Sequence, residues 1–371
     1  MCVHIDNEHL PPNDRMAKVR PLFNALNQRF LEEYPRSETQ LAIDESWSRT
    51  MADILPNNSS AVSFGFKVWS INTPLGYCIQ QEPYQGSGVL DSQFGLGGSV
   101  VVKLTDCLPP AAGKYTLYFH NFFTGLHLLQ VLSEKNIQAT GTVRANRVDN
   151  CPLISEDKLK KADRGSYDYR LDSTSGVMVT SWNDNSVVTM ASNCHGIAPL
   201  GTAKRWSWSE RKFLDIPQPY VIDRYNRSMG GVDRTDQNIS STYRISIRSK
   251  KWWWALFAYL LDVAMQNAWI VYRYSTAVTR RPLDQLDFRH DVCMVYYKRY
   301  GVDRATVGRP LGRPKAIGDR VLADICTDGI NHFPESSGTQ RRCGVCGLKT
   351  QNICRKCDIR LHQECFASFH L

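Results

Sequence analysis

The chain has 371 residues, of which 42% are hydrophobic and 22% charged, with a net charge of +9. That length suits about two domains, and the supply of aliphatic and aromatic side chains excludes a disordered chain. The best apolar run, Trp252 to Met265, falls short of the ~18 residues of a membrane span and carries Asp262; the polar N-terminus holds no secretory signal, so the 12 cysteines are expected in a reducing compartment, where they favour metals over disulfides.

In chain order, Asp14 caps a predicted helix with apolar positions at Val19, Leu22, Phe23, Leu26, Phe30 and Leu31. Val62 to Ile71 and Tyr77 to Gln80 are rich in β-branched and aromatic residues, and Pro74 and Gly76 between them predict a hairpin. A glycine turn at Gly95, Gly97 and Gly98 leads into Ser99–Leu104. Tyr115–Phe119 reads as a buried strand, Phe122–Leu132 as a helix and Gln138–Val143 as a strand, which implies an α/β core with a parallel pair. Tyr167–Leu171, Gly176–Trp182 and Ser186–Ala191 read as an antiparallel, β-rich insertion. Residues 199–217, with Trp206 and Trp208, read as loop. The pattern is helical from Tyr220. The strongest helix runs from Lys250 to Tyr274 and is apolar nearly all round over Trp252–Val263, which predicts burial. Residues 301–340 mix Gly, Pro and charge without periodicity and read as a linker.

The positive charge is concentrated. Residues 298–315 hold Lys298, Arg299, Arg304, Arg309, Arg313 and Lys315 against Asp303, a local +5. Residues 341–371 hold Arg341, Arg342, Lys349, Arg355, Lys356 and Arg360 against Asp358 and Glu364, a local +4. Basic segments beside a neutral body point to a polyanion, nucleic acid first, or to a solvated tail. Gly308-Arg309-Pro310 and Gly312-Arg313-Pro314-Lys315 repeat a tripeptide that fits an A·T minor groove and equally fits a basic linker.

The C-terminus carries the most specific local pattern. Cys343 and Cys346, then Cys354 and Cys357, are pairs two residues apart, and His362, Cys365 and His370 follow. Thiolates at that spacing both reach a tetrahedral zinc. A cross-braced pairing puts Cys343, Cys346, His362 and Cys365 on one ion. It leaves Cys354, Cys357 and His370 on a second, short of a ligand that His332 could supply. The alternative is one zinc on Cys343, Cys346, Cys354 and Cys357. A segment this small buries too little core to fold without the metal.

Met229-Gly230-Gly231-Val232-Asp233-Arg234-Thr235-Asp236-Gln237 resembles the GGVDxxDQ signature of piggyBac transposases. So do Ile43-Asp44-Glu45-Ser46, Gly65-Phe66-Lys67-Val68-Trp69, Pro83-Tyr84-Gln85-Gly86, Gly141-Thr142-Val143-Arg144 and the cysteine tail. The resemblance runs from about Asp14 to His370 and looks most like the transposase-derived proteins domesticated in animal genomes. It implies an α/β, RNase H-like core interrupted by the β-rich insertion, followed by a small cysteine-rich zinc-binding domain. The expected divisions are residues 1–45, a helical remnant of a longer N-terminal region; 46–143 and 218–300, the two parts of the core; 144–217, the insertion; 301–338, a basic linker; and 339–371, the zinc domain.

In that family three carboxylates hold two divalent metals for phosphodiester cleavage. The chemistry needs them because hard cations take oxygen ligands. By resemblance the first position falls on Thr73 and the second on His120, while the third is kept as Asp233, with Asp236 beside it. His120 also reads as an ordinary strand-end histidine, and Asp233 and Asp236 as helix caps. The expectation is a degenerate transposase without catalytic magnesium, not an enzyme, that keeps structural zinc and acts in the nucleus. DNA would be held by Arg309, Arg313, Lys315, Arg341, Arg342, Arg355 and Lys356. Zinc-dependent protein interaction on an inactive scaffold is the alternative, and an active transposase the third reading.

Overall fold

The computed structural model describes residues 14–49, 65–86, 93–110, 113–148, 150–240, 243–245, 247, 249–275, 282–301, 321 and 323–370. The chain divides into two compact units, residues 1–280 and 281–371.

The first helix of the first unit, α1, is Arg20–Glu32. Its true N-cap is Val19; Asp14 acts one turn earlier, accepting from the Met16 amide and pairing with Arg20 at 2.9 Å. Phe23, Asn27 and Phe30, spaced four and three apart, form its buried face. Full burial of each phenylalanine is worth about 1.5–3 kcal/mol.

Next come β1 (Gln40–Arg49), β2 (Gly65–Asn72) and β3 (Cys78–Pro83), then α2 (Gly95–Thr105), β4 (Thr116–Phe119), α3 (Leu126–Glu134) and β5 (Gln138–Thr142). After α4 (Glu156–Lys160) come β6 (Tyr167–Leu171), β7 (Met178–Asn183) and β8 (Val187–Ser192). All eight strands form one mixed sheet in the order β3-β2-β1-β4-β5-β8-β7-β6. β1 runs antiparallel to β2 and parallel to β4, and β4 runs parallel to β5.

Several sequence expectations change here. Residues 40–45 are not part of a helical remnant: they open β1, a central strand whose Leu41 and Ile43 are fully buried. Of the hairpin strand expected from Val62, residues 62–64 lie outside the described residues. The glycines expected as a turn before Ser99 belong to α2, where a Cβ on Gly97 would stand 2.3 Å from the Phe122 carbonyl oxygen. The glycine is what lets the helix backbone approach so closely. The three short strands of the insertion do not form a sheet of their own, because β8 pairs with β5 and extends the core sheet.

Residues 199–217 are not loop. β9 (Gly201–Ser207) and β10 (Lys212–Gln218) form an antiparallel hairpin, anchored where buried Ala203 and Ile216 stand opposite each other. The helices α5 (Tyr220–Ser228), α6 (Gly231–Ser240) and α7 (Trp254–Tyr274) follow. α7 is long and apolar enough to cross a membrane by length and composition, more so than its sequence suggested. It is a core helix nonetheless. Leu256, Leu260 and Val263 are fully buried with Phe23 and Val68, and buried Asp262 accepts from the Ile245 amide at 3.1 Å.

The second unit holds α8 (Gln285–Tyr300), α9 (Ala323–Cys326), β11 (Pro334–Arg342), β12 (Lys349–Cys354) and α10 (Gln363–His370). α8 falls in this unit rather than in the core, where residues 218–300 were expected to end. The expected linker also ends sooner, since α9 and β11 lie within 301–340. β11 and β12 pair antiparallel, with Arg342 opposite Lys349.

Candidate metal centres and a remodelled carboxylate site

Four chain segments interleave in the second unit. The turn after β11 carries Cys343 and Cys346, and the end of β12 carries Cys354 with Cys357 just beyond. His362, Cys365 and His370 come from the start and the length of α10. His332 lies just before β11. These residues form two groups of four. Cys343, Cys346, His362 and Cys365 offer ligand atoms all within 4.8 Å of one another, and so do His332, Cys354, Cys357 and His370. The cross-braced arrangement is therefore the one assembled, with His332 as its eighth member. The single set of four cysteines is not brought together.

The histidines are oriented as ligands require. His332 turns Nδ1 to Cys354 and Cys357, 3.5 Å from each sulfur, while Nε2 is 3.0 Å from the Asp328 carboxylate. His362 places Nδ1 3.2 Å from Cys346 Sγ, and its Nε2 donates to the Lys349 carbonyl. His370 donates from Nδ1 to the Cys326 carbonyl at 2.7 Å, which leaves its Nε2 buried with no protein partner. A metal-binding histidine usually commits its second nitrogen this way, which sets the tautomer and the ring plane. The bare Nε2 of His370 has no structural use unless a ligand meets it.

Electrostatics agree. Burial pushes the Cys343 thiol up, but amides of Cys346, His362 and Val345 outweigh it and bring the thiol down to about 6. Thiolate is the metal-binding form. Asp328 resists burial and is held well below the carboxylate range by Lys356, the Ile330 amide and His332. Sequence reasoning missed Asp328; the Asp-x-x-x-His spacing ahead of the cysteines was its only signal.

This geometry also sorts the expected DNA contacts. Lys356 is 6% exposed and forms a 2.5 Å ion pair with Asp328, so it supports His332 and does not reach solvent. Arg360 donates to the Thr339 and Gln351 carbonyls and ties the β11–β12 hairpin together. Arg355 is exposed and 3.6 Å from Glu335. Arg341, Arg342 and Lys349 are exposed on that hairpin, with Arg342 opposite Lys349. Arg309, Arg313 and Lys315 lie outside the described residues.

In the first unit, α6 and the strands bring the acidic residues together. A Cβ on Gly231 would stand 2.4 Å from the Thr73 carbonyl oxygen, so this glycine lets α6 start directly against the sheet. Thr235 donates to the Gly76 carbonyl and accepts from Asn72, both at 2.7 Å, which fixes the helix on the β2–β3 turn. Asp233 is exposed in the first turn of α6, and Asp236 accepts from Ser46 on β1.

Thr73 lies at the end of the β2 segment, against the start of α6. It is fully buried, and its Oγ1 accepts from the Tyr77 amide within the turn. The carboxylate that faces His120 is Asp44 on β1, 3.0 Å from His120 Nε2. The parallel pairing explains it: Ile43 lies opposite Phe119, so the residues that follow each are neighbours. His120 Nδ1 is 3.0 Å from the Tyr225 hydroxyl on α5. The Asp44 hydrogen bond raises the His120 pKa, partly offset by burial and reinforced by the charges of Asp44, Asp233 and Glu45. His120 thus sits against Asp44 and within the field of Asp233 and Glu45. By resemblance Asp44 sits at none of the three family positions, and its approach to His120 depends on β1, which the sequence reading did not recognise.

The comparisons with known proteins agree with this architecture. A family model described as Transposase IS4 matches residues 1–269. The chain is 38% identical over 377 residues to the human PiggyBac transposable element-derived protein 3, covering 98% of this chain and 60% of the relative. It is 33% identical over 376 residues to the human PiggyBac transposable element-derived protein 2, covering 99% and 61%. The chain thus spans about three fifths of the length of these relatives. Among solved structures it resembles a piggyBac transposase synaptic complex with hairpin DNA, with a TM-score of 0.63 at 21% identity over 97% of this chain and 77% of that one. The mixed sheet with flanking helices is the RNase H-like fold of that transposase. The chain belongs to the piggyBac-type transposase family.

Proposed function

We propose that this is a transposase-derived DNA-binding protein that does not cut DNA, and that its second unit is built on two zinc ions. The observation that carries the first part is His120. Two-metal cleavage needs oxygen ligands to hold the cations that neutralise charge on the attacking and leaving oxygens. An imidazole offers no anionic oxygen there, and Asp44 and the nearby acids favour its protonated form, which carries positive charge where a metal pair needs negative charge. The test is a nicking and strand-transfer assay on transposon-end DNA with Mg²⁺ or Mn²⁺. No product is expected. Metal-dependent cleavage that disappears in Asp233→Ala would refute the reading.

Three thiolates with one imidazole, and two thiolates with two imidazoles, are donor sets that suit zinc. When bound, the ions supply folding energy; the protein's own part is to orient the imidazoles through Asp328, Lys349 and Cys326. DNA binding is supported by the exposed Arg341, Arg342 and Lys349 and by a structural relative caught on DNA. Phosphate contacts from three such side chains give a log–log salt slope of about −2 to −3. Its place of action on this reading is the nucleus, which imaging of a tagged full chain would test.

A second reading has an observation of its own. Phe333, Val345 and Leu348 are exposed apolar side chains around the candidate metal centres, which favours a zinc-dependent protein contact. DNA affinity that stays unchanged when Arg341 and Arg342 are replaced by alanine would move weight to this reading.

A further inference from the structure

The β9–β10 hairpin carries aromatic side chains that the fold does not use. Trp206 and Phe213 are directly opposite on the two strands, with ring centroids 5.2 Å apart at 72°. Trp208, in the turn, stands edge-on to Trp206 at 6.1 Å. Their exposures are 39% for Trp206, 67% for Phe213 and 86% for Trp208. By the two-residue period of a strand, Ala203 and Ile216 face the core and the Trp206–Phe213 pair faces away from it.

The hairpin is held firmly at its base. Ala203 and Ile216 pack with Trp182 and Met178, and Trp182 donates from its indole to the Pro217 carbonyl at 2.8 Å. Arg205 and Arg164 both pair with Asp184, at 2.9 and 2.6 Å. The rings thus stand on a rigid mount, with little ordering left for a partner to impose.

The charge around the rings is positive. Lys204, Arg205, Arg211 and Lys212 face Glu210 and Asp215 on the hairpin. Lys212 pairs with Glu210 and Arg205 with Asp184, whereas Lys204 and Arg211 form no ion pair among the described residues. Lys204 shares the face of the two paired rings.

We propose that this hairpin is a stacking platform for single-stranded DNA. Exposed ring faces beside Arg211 and Lys204, the latter opposite Asp215 but in no ion pair with it, suit unpaired bases joined by phosphates, because every base has a π-face and every linkage a negative charge. A duplex hides those faces in its own stack. An apolar protein partner would use the rings but leave Lys204 and Arg211 unsatisfied. The platform is separate from Arg341, Arg342 and Lys349 on the second unit, so its failure and the failure of the duplex-binding reading can be told apart.

The experiment is fluorescence anisotropy of the full chain on a labelled 20-nucleotide oligo-dT, on oligo-rU of the same length and on a 20-base-pair duplex, with intrinsic tryptophan emission recorded. The expected result is that oligo-dT quenches the emission, and that Trp208→Ala with Phe213→Ala weakens its binding by about tenfold or more. Duplex affinity stays the same in that variant and falls in Arg341→Ala with Arg342→Ala. Both rings are exposed, so the substitutions leave folding intact. Oligo-dT binding unchanged by the double substitution would overturn the proposal. So would tighter binding to oligo-rU, or a dimer in sedimentation that the substitution dissociates.

Discussion

At His120 an imidazole is held from two sides, by the Asp44 carboxylate on β1 and the Tyr225 hydroxyl on α5. The Asp44 contact leads the causes that raise its pKa. A pKa raised in the folded state means a contribution to stability that is complete below the free value of about 6.5 and fades as pH rises through the folded value. The imidazole resonances of His120 are therefore expected to titrate above 6.5 in NMR, and Asp44→Asn to bring that midpoint down. A midpoint at or below 6.5 in the unaltered protein contradicts this account. Gly231 makes a second claim at this scale. Gly231→Ala forces a Cβ into the Thr73 carbonyl, and overpacking of that kind costs about 1–3 kcal/mol. Chemical denaturation measures it, and an unchanged midpoint would mean that α6 moves freely off the sheet.

Between elements, the terminal strand β3 is protected by two asparagines. Asn27 on α1 donates to the Gln81 carbonyl and accepts from its amide, at 2.8 and 3.0 Å. Asn267 on α7 does the same for Cys78, at 2.7 and 2.9 Å. A sheet edge must have its backbone groups met, or it offers a template for another strand. Asn267→Ala would leave a buried amide and carbonyl unpaired, a loss of about 2–4 kcal/mol. Thermal unfolding of that variant is expected to shift down clearly. The arrangement also explains why α7, apolar enough for a membrane, keeps Asn267 and Asp262: both satisfy backbone groups inside a protein core.

For the molecule as a whole, the two units draw stability from different sources. The first has a continuous apolar core on the eight-stranded sheet. The second has a small cluster made largely of the cysteines themselves, with Leu361, and on the proposed reading it depends on metal. Elemental analysis of purified full-length chain is expected to find two zinc ions, and His332→Ala to reduce the count toward one. A chelator should unfold the second unit, seen as loss of amide protection over residues 323–370, and leave protection of the core strands in place. Two ions retained in His332→Ala would remove that residue from the site.

The apolar periodicities of α1, β2, β3, β4 and β5 and the cysteine spacings were legible in the residues, because burial and ligand reach act over a few positions. The motif residues around Asp233 were equally legible and led to the family. Other features depended on contacts far apart in sequence. β1 was missed although it lies at the centre of the sheet, and with it the meeting of Asp44 with His120, which is created by parallel pairing across more than seventy residues. The hairpin at 201–218 was missed because its solvent face is aromatic, so the usual alternation of buried and polar residues is blurred. Local sequence settled which residues could bind metal and which chain segments could be strand or helix. Only the tertiary structure decided that His332 completes the second group of four, that Lys356 is buried against Asp328, and that one histidine stands among carboxylates, since each is a contact made by the fold and by no local rule.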